Sequence, residues 1–532
     1  MGEAMGCGGQ VSEERLAAIE RDLTPTWRAL PKLAGGRVER RSLRYIVHRF
    51  FSRQSQLHVR GFEPTRPLNA SGWGDADILS LRVPAFVESI LMSKHKTERG
   101  FDLRDAALVV AMVEQLIFDS ESTLLEKVYS EQEKSLLKSL SHEGLAQVLE
   151  SYMVHWMMGD DPNGIRILLS NRTLLETAFP HWEQLAMFVR GEVQAVAFQR
   201  QRPSIAGSEV SRLGHNALAG MYSFDDAHRV VGGITRSFAS YWESECASMK
   251  SALVSLDTHR TGRVPLSRFY NSALESDWRF GESEAYLREL GALDETSTWH
   301  GKQVIIANYI QAASNCIVSS PHYLVCCSNP CEGLMGDIER AVAAPLASPA
   351  ELLAVVGNMS AQSELDDDVL VDLGSGDGSL AAQLEQIAAA HSGQVPLHGR
   401  LFAQWLHYVF PRQCPFPHKV GDASSASPLE FGEGYIASDE EMQAHAVAAN
   451  ETVSLEEVGQ EGVQWMSQWS EEEELIADYF ASGLHAPWES RRRVLSIGGA
   501  LLVLVGLVGA VGHGSGSKGP ALLPVHCKSH FV

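Results

Sequence analysis

A segment that begins at Asp257 and reads DTHRTGRVPLSR has the spacing of a calcium-binding loop. With Asp257 at the first position, Gly262 falls at the sixth, where such a loop turns sharply, and Val264 falls at the eighth, on a short strand. The candidate metal ligands stand at the first, third and fifth positions and are Asp257, His259 and Thr261. Arg268 stands at the twelfth position, where calcium normally receives both oxygens of a glutamate. We therefore expect a loop that keeps the shape of an EF-hand but does not bind calcium tightly.

A second stretch that could do chemistry reads VLVDLGSGDG over residues 369–378 and resembles the first motif of S-adenosylmethionine-dependent methyltransferases. In those enzymes an apolar strand ends in a glycine turn, which lets the cofactor approach the backbone. The resemblance implies a cofactor-binding set that consists of Asp372, Gly374, Gly376 and Gly378. Such a domain needs a second strand that ends in an acid about 20 residues later, and residues 386–421 contain no Asp or Glu. We favour a turn that caps the following helix.

Cysteines and histidines gather in two places. The first group comprises Cys316, His322, Cys326, Cys327 and Cys331. Its spacing differs from the paired Cys-x-x-Cys pattern of a zinc site, so we expect reduced, partly buried thiols. The second group comprises His391, His398, His407, Cys414 and His418. Aromatic residues separate its members, so we expect hydrogen-bonded structural histidines, with a metal site as the alternative in both groups.

The elements that carry these groups are predicted to be helices, because apolar residues recur with helical period through most of residues 12–320. The predicted helices cover residues 37–53, 84–95, 102–119, 143–158, 164–178, 181–199 and 235–256. The first has an apolar face flanked by Arg40, Arg41, Arg44 and Arg49. We interpret these arginines as the solvated flank of a packed helix, with a helix on an anionic membrane as the alternative. A linker is predicted at 202–207.

The sequence around the first loop repeats about 40 residues later. Its apolar residues Val264, Leu266, Phe269, Tyr270 and Ala273 correspond to Val304, Ile306, Tyr309, Ile310 and Ala313. EF-hands occur in pairs that join their two short strands, so the repeat predicts a two-hand module over 235–318. Asn308 stands at the twelfth position of the second loop, which again lacks the glutamate.

Five distinctive stretches carry a family resemblance. They are SGWGDADIL (71–79), RVPAFVESIL (82–91), GRVPLSRFY (262–270), CCSNPCEGLMG (326–336) and VPLHGRLFAQWLHYVFPRQCPFPH (395–418). Through them the chain resembles a large family of uncharacterised multi-helical proteins of dinoflagellate algae, over most of residues 37–480. The resemblance implies an α-helical body with a degenerate EF-hand-like part, and it implies no reaction.

The C-terminal region contains a predicted membrane anchor. Residues 494–512 are nineteen positions without a charge, which as a helix span roughly 28 Å, about the thickness of the hydrocarbon core. Arg491, Arg492 and Arg493 precede this run, so the bulk of the chain is predicted to lie in the cytosol as a tail-anchored, single-pass protein. A buried core helix is the alternative. In the cytosol the thiols would stay reduced, and the glycosylation sequons at Asn69, Asn171, Asn358 and Asn450 would stay unmodified.

Composition limits the function classes. The net charge of −22 makes nucleic acid an unexpected partner, and a chain with 45% hydrophobic residues is neither collagen-like nor wholly disordered. Residues 421–490 hold sixteen Asp or Glu and no Lys or Arg, which predicts a partly ordered, solvated spacer. The chain also lacks the phosphate-binding loop, the G-x-S-x-G elbow and the H-E-x-x-H helix. Their absence makes a hydrolase or nucleotidase function less expected.

These observations predict a mainly α protein with a multi-helical cytosolic body, a degenerate EF-hand-like pair and one C-terminal transmembrane helix. The predicted division is a leader without a secretory signal (1–36), a helical domain (37–205), a helical domain with the paired module (216–320), a Cys/His-containing helical segment (321–420), the acidic spacer (421–490), the transmembrane helix (494–512) and a short tail (513–532). We expect a membrane-anchored, non-enzymatic interaction or scaffold protein that uses no cofactor and has the lipid bilayer and an unidentified protein as partners. The alternatives are an S-adenosylmethionine-dependent methyltransferase that uses the 369–378 turn and a calcium-responsive EF-hand membrane protein.

Overall fold

The computed structural model describes residues 12–33, 35–62, 100–159, 161–179, 181–201, 220–271, 280–295, 301–320, 322–360, 379–418 and 423–452. All of them belong to one unit of the chain, Met1–Ser482. Several predicted features lie outside these residues, among them the helix over 84–95, the linker 202–207, the glycine turn 369–378 and the membrane segment 494–512. Within the described ranges, no helix combines the length and the apolar character needed to cross a bilayer.

The described part of the chain is mainly helical, as predicted. Its first eight helices are α1 (Glu13–Ala29), α2 (Arg40–Ser55), α3 (Leu103–Glu131), α4 (His142–Met158), α5 (Pro162–Ser170), α6 (Arg172–Ala178), α7 (Trp182–Gln201) and α8 (Phe224–Leu256). The other nine are α9 (Leu266–Tyr270), α10 (Glu284–Glu289), α11 (Ile306–Ile310), α12 (Pro330–Val342), α13 (Pro349–Ser360), α14 (Ser379–Ala390), α15 (Arg400–Val409), α16 (Pro428–Phe431) and α17 (Asp439–Thr452). Periodicity thus located α3, α4 and α7, whereas the helix predicted over 164–178 is divided at Asn171 into α5 and α6.

Polar side chains set where the two longest helices begin. The Asp102 side chain accepts a hydrogen bond from the backbone N–H of Asp105, and the Asp105 side chain accepts one from the backbone N–H of Asp102, so a capping box starts α3. Ser223 and Asp226 form the same arrangement at the start of α8. Each box satisfies backbone donors that the first helical turn leaves unpaired, which favours these start points over neighbouring ones.

The first hydrophobic core lies among α1, α2, α3, α4, α7 and the first half of α8. Helix α1 belongs to the segment predicted as a leader, and its apolar residues recur at Leu16, Ile19 and Leu23 on one face. All three are buried, and α1 packs against α3 and α12. Residues 13–29 are therefore a structural part of the body.

Short antiparallel strands join distant parts of the chain. They are β1 (Leu57–Val59), β2 (Leu140–Ser141), β3 (Met221–Tyr222), β4 (Arg263–Pro265), β5 (Leu293–Asp294), β6 (Gln303–Ile305), β7 (Val318–Ser319), β8 (Tyr323–Val325), β9 (Leu346–Ala347) and β10 (Val395–Pro396). In the sheet of order β4-β6-β5, Val264 lies opposite Val304. This is the pairing that the internal repeat predicts.

The second hydrophobic core surrounds this sheet and shares α8 with the first core. The apolar face of α8 from Ala227 to Ala239 is buried in the first core, and Cys246, Met249 and Leu253 are buried in the second. The two cores therefore divide within a single helix of 33 residues. The sequence instead predicts a linker at 202–207, where Pro203 and Gly207 interrupt the chain, and this stretch lies outside the described residues.

Part of the predicted acidic spacer docks on the second core. The ring of Phe431, at the end of α16, lies 4.6 Å from the ring of Tyr286. Glu441, in α17, accepts hydrogen bonds from the Tyr270 hydroxyl at 3.2 Å and from the backbone N–H of Glu284 at 2.7 Å. Residues 423–452 thus contact the second core through aromatic and carboxylate groups, while Leu429, Ile436 and Val447 on the same stretch are exposed.

Candidate functional site: the paired loops and the segment that covers them

The first hand-like loop turns around the carboxylate of Asp257. This residue follows α8 directly, and its side chain is fully buried. Its two oxygens accept hydrogen bonds from the backbone N–H groups of Thr261 at 3.0 Å and Gly262 at 2.9 Å. The carboxylate closes the loop on itself, because it satisfies two backbone donors of the turn.

Arg412 supplies the positive charge beside this carboxylate. Its Nε lies 2.9 Å from Asp257 Oδ2, and its Nη2 donates to the Asp257 carbonyl oxygen at 3.2 Å. The preceding residue, Pro411, lies against Gly262, where an added Cβ would be 2.2 Å from the Pro411 carbonyl oxygen. The φ of Gly262 is +71°, so glycine is needed both for this backbone conformation and for the close approach of Pro411.

The other two predicted metal ligands are arranged differently from Asp257. The side chains of His259 and Thr261 are exposed, and Thr261 meets the Asp257 carboxylate through its backbone N–H. Among the described residues, no group of three or more His, Cys, Asp or Glu side chains is placed to hold a metal ion. The candidate ligand set Asp257, His259 and Thr261, and the expectation that this loop does not bind calcium tightly, both stay predictions.

The second loop is held by the same stretch of chain. Asn308, at its twelfth position, accepts a hydrogen bond from the Phe416 backbone N–H through Oδ1 and donates one to the Phe416 carbonyl through Nδ2, both at 2.8 Å. His418 Nε2 lies 2.6 Å from the Gly291 carbonyl oxygen and pairs with it. We call residues 411–418 the cover segment, because this stretch contacts the polar side chains at key positions of both loops.

A buried histidine links the cover segment to the sheet. His407 Nδ1 lies 2.8 Å from the Cys414 carbonyl oxygen, and its Nε2 lies 3.2 Å from Arg263 Nη1. Burial and the neighbouring Arg263 lower the pKa of His407 to about 3, so the ring is neutral at physiological pH. A neutral ring that donates from Nδ1 can accept from Arg263 at Nε2. Arg263 also pairs with Asp294 at 2.6 Å, which joins β4 to β5 through side chains.

Disulfides correct the prediction of reduced thiols. The three pairs are Cys246–Cys327, Cys316–Cys326 and Cys331–Cys414. Two of them join cysteines 81 and 83 residues apart, a relation that local spacing does not show. With their sulfurs in disulfides these six cysteines are not zinc ligands, and Cys331–Cys414 fastens the cover segment to α12.

The histidines of the second group are hydrogen-bonded, as predicted. His391 Nδ1 lies 2.7 Å from the Ile387 carbonyl oxygen, and His398 Nε2 lies 2.8 Å from a carboxylate oxygen of Glu339. Each of these histidines has a different partner, so the group does not converge on one centre.

Glu339 belongs to a buried ionic group that periodicity did not reveal. Arg49 pairs with Glu339 through Nη1 and lies 2.6 Å from Glu332 through Nε. Thr26, on α1, donates to Glu339 at 2.8 Å. We call Thr26, Arg49, Glu332, Glu339 and His398 the Arg49 cluster. Burial by itself would raise the Glu339 pKa, but the charge of Arg49 and the hydrogen bonds from His398 and Thr26 outweigh it, so the pKa lies below its ordinary value.

The burial of Arg44 and Arg49 corrects their interpretation as part of a solvated basic flank of α2, whereas the side chains of Arg40 and Arg41 lie outside the described residues. Arg49 is 2% exposed and Arg44 is 6% exposed. Arg44 donates to the Gly61 carbonyl oxygen at 2.6 Å. These two arginines point into the body, where carboxylate and carbonyl oxygens from other elements bind them. Because they are buried, they do not lie on a membrane surface.

A second buried carboxyl has neutral partners. Glu121, on α3, accepts hydrogen bonds at Oε1 from Thr235 at 2.6 Å and from the Tyr323 hydroxyl at 2.8 Å. Trp156 donates in turn to that hydroxyl at 2.8 Å. Burial raises the pKa of Glu121 to about 7, although both hydrogen bonds act in the opposite direction. We call Glu121, Trp156, Thr235 and Tyr323 the Glu121 cluster, which joins α3, α4, α8 and β8.

The predicted cofactor-binding residues Asp372, Gly374, Gly376 and Gly378 lie outside the described residues. Helix α14, which follows them, packs on α15, and the indole N–H of Trp405 donates to the Leu380 carbonyl oxygen at 2.9 Å. The cofactor set and the competing interpretation as a helix cap both stay predictions.

No family model, no curated protein and no solved structure matches this chain.

Proposed function

We propose that this protein is a membrane-anchored, non-enzymatic interaction protein, in which the paired loops form a fixed packing module. The observation that supports this is the cover segment. Arg412 pairs with the acidic first position of one loop, and Phe416 pairs with Asn308 at the last position of the other. A calcium sensor changes shape because ions enter open ligand positions. Here the two loops receive their polar partners from the chain itself.

The membrane anchor is proposed at residues 494–512 on its length and composition. The partners proposed are the bilayer and a protein that binds the body. Membership in the dinoflagellate family stays a sequence prediction. The cytosolic orientation that Arg491, Arg492 and Arg493 predict also stays a sequence prediction, and the proposed anchor does not depend on it.

The test of the packing module is a thermal-unfolding scan of the full chain in detergent, with calcium or S-adenosylmethionine added. We expect no shift in Tm with either. A ligand at 100 times its Kd would add about 2.7 kcal/mol to the free energy of unfolding, which a scan resolves. A calcium shift that Asp257→Ala removes would replace the proposal with the calcium-responsive alternative. A shift with S-adenosylmethionine that Asp372→Ala removes would replace it with the methyltransferase.

The anchor has its own test, which is extraction of membranes with alkaline carbonate. The wild-type chain is expected to stay in the pellet. The double variant Leu502→Arg/Val505→Arg is expected to move to the supernatant, because each arginine costs about 2.5–3.5 kcal/mol at the centre of a spanning helix. The matched control Leu502→Ile/Val505→Leu keeps the apolar character and should stay in the pellet. Release of the wild-type chain by carbonate would refute the anchor.

A further inference from the structure

Six of the eight cysteines of the chain are paired in the described body. Cys326 and Cys327 are neighbours in sequence, are both buried, and pair with different partners. Three structural disulfides of this kind persist in oxidising compartments and are rare in the cytosol. The pairing therefore opposes the cytosolic placement that the three arginines before residue 494 predict.

Two of the N-x-S/T sequons lie on the described surface. Asn171 is the single residue between α5 and α6, and its side chain is exposed. Asn358 is exposed on α13, next to Gly357, where an added Cβ would meet open space. From these sequons and the three disulfides we propose that the body matures in an oxidising, glycosylating compartment and carries N-linked glycans on Asn171 and Asn358.

The role of Asn171 in the fold is compatible with a glycan. Its Oδ1 caps α6 by accepting hydrogen bonds from the backbone N–H groups of Thr173 at 3.0 Å and Leu174 at 3.3 Å. A glycan is attached through Nδ2, so the carbonyl oxygen that caps the helix stays available. The modified residue can therefore keep its structural contact.

The surface around Asn171 offers a reason for a glycan there. Ile167 is 49% exposed, Leu169 is 43% exposed and Leu174 is 44% exposed. Large apolar side chains that are exposed close together promote association. A bulky, hydrophilic glycan on Asn171 would shield them, since all three lie within four residues of it.

The chemistry is a transfer to the amide nitrogen. Nδ2 of the asparagine forms a bond to the anomeric carbon of an oligosaccharide. A lipid-pyrophosphate donor in the cell supplies this oligosaccharide. The bond from that carbon to the pyrophosphate oxygen breaks, the lipid pyrophosphate leaves with the electron pair, and Nδ2 loses one proton. The Thr or Ser two residues later, Thr173 or Ser360, completes the recognition sequence.

The experiment expresses the full chain in a eukaryotic cell and compares its gel mobility before and after treatment with peptide-N-glycosidase. Thr173→Ala removes one sequon but leaves the cap intact, because Thr173 meets Asn171 through its backbone N–H. Ser360→Ala removes the other. Each variant is expected to lose one glycan, and the double variant is expected to lose two. Thr173→Ser keeps the sequon and should migrate with the wild type.

A second readout uses the cysteines. Alkylation of the denatured, unreduced chain is expected to leave six cysteines unmodified because their sulfurs are in disulfides. After reduction, the same six cysteines are expected to react. Mobility that glycosidase does not change, or that neither Thr173→Ala nor Ser360→Ala changes, overturns the proposal. Six cysteines that react before reduction overturn it as well, because they place the body in a reducing compartment.

Discussion

Glu339 and Glu121 are glutamates enclosed by the helices of one body, and their pKa values are shifted in opposite directions. Glu339 is fully buried and contacts Arg49, whose charge and the hydrogen bonds at that carboxylate hold the Glu339 pKa below its ordinary value. Glu121 is 3% exposed, and its hydrogen-bond partners are the uncharged Thr235 and Tyr323. There burial dominates, and the Glu121 pKa rises to about 7.

The difference shows that burial alone does not decide whether a carboxyl is charged. In a medium of low polarity an ion loses hydration energy that only another charge or several hydrogen bonds can restore. The guanidinium of Arg49 restores it for Glu339. For Glu121 the two hydroxyl donors restore only part of this energy. The carboxyl group therefore keeps its proton up to a pH of about 7.

Removing the charge of Glu339 is expected to have the largest effect. Glu339→Gln keeps the size of the side chain and leaves Arg49, which is 2% exposed, without its fully buried counter-ion. Loss of one partner of a buried ion pair typically costs 3–5 kcal/mol. We expect a loss of about that size in the free energy of unfolding, measured by urea unfolding with the disulfides intact.

The matched control for this variant is Glu332→Gln. Glu332 also contacts Arg49, at 2.6 Å, but its side chain is 20% exposed, so water can replace part of the interaction. We expect a loss of about 1 kcal/mol. Equal losses for the two variants would show that burial of the carboxylate is not what makes the Glu339 contact strong.

The next largest effect concerns Glu121 and depends on pH. The folded pKa is about 7 and the unfolded value is 4.5, so between these pH values the unfolded chain releases a proton that the folded chain retains. Wild-type stability is therefore unaffected by this group below pH 4.5, falls as the pH rises towards 7, and is lower by ~3 kcal/mol above that. Glu121→Gln has no proton to lose and removes this dependence.

The measurement is the difference in free energy of unfolding between the variant and the wild type at pH 5 and pH 8.5. Other titrating groups cancel in that difference, including buried His48 and His58, whose pKa values burial lowers to about 3 and about 4. We expect the variant to gain stability relative to the wild type on going from pH 5 to pH 8.5. A difference that does not change with pH would mean that Glu121 is ionised throughout this range.

Sequence patterns were sufficient where the determining contacts are local. The apolar repeat located Val264 and Val304, which pair across β4 and β6. This was possible because the periodicity of a strand or helix depends on residues that are close together in the sequence. Periodicity likewise located most of α3, α4 and α7.

Long-range pairing of charges and thiols was not predictable in this way. Arg412 lies 155 residues from Asp257, and Glu339 lies 290 residues from Arg49. An arginine on an amphipathic helix has the same local pattern whether it meets water or a distant carboxylate. The contacts of the cover segment and the three disulfides also join residues that are far apart in the sequence. They could therefore not be predicted from local patterns in a single sequence.

The smallest expected effects come from a matched pair of threonines. Thr26 donates to Glu339 at 2.8 Å and Thr235 donates to Glu121 at 2.6 Å, and both threonines are 4% exposed. Replacing either with valine keeps the shape and removes the hydroxyl donor. A hydrogen bond to a charged group contributes about 1.5–3 kcal/mol and one between neutral groups about 1 kcal/mol.

Because Glu339 is ionised at both pH 5 and pH 8.5, Thr26→Val is expected to lower the free energy of unfolding by about 2 kcal/mol at either pH. Thr235→Val should cost about 1 kcal/mol at pH 5, where Glu121 is protonated, and more at pH 8.5, where it carries a charge. The two variants thus report the charge state of each glutamate while both glutamates stay in the chain. If the cost of Thr235→Val stays constant while that of Thr26→Val changes with pH, the two glutamates have been assigned the wrong way round.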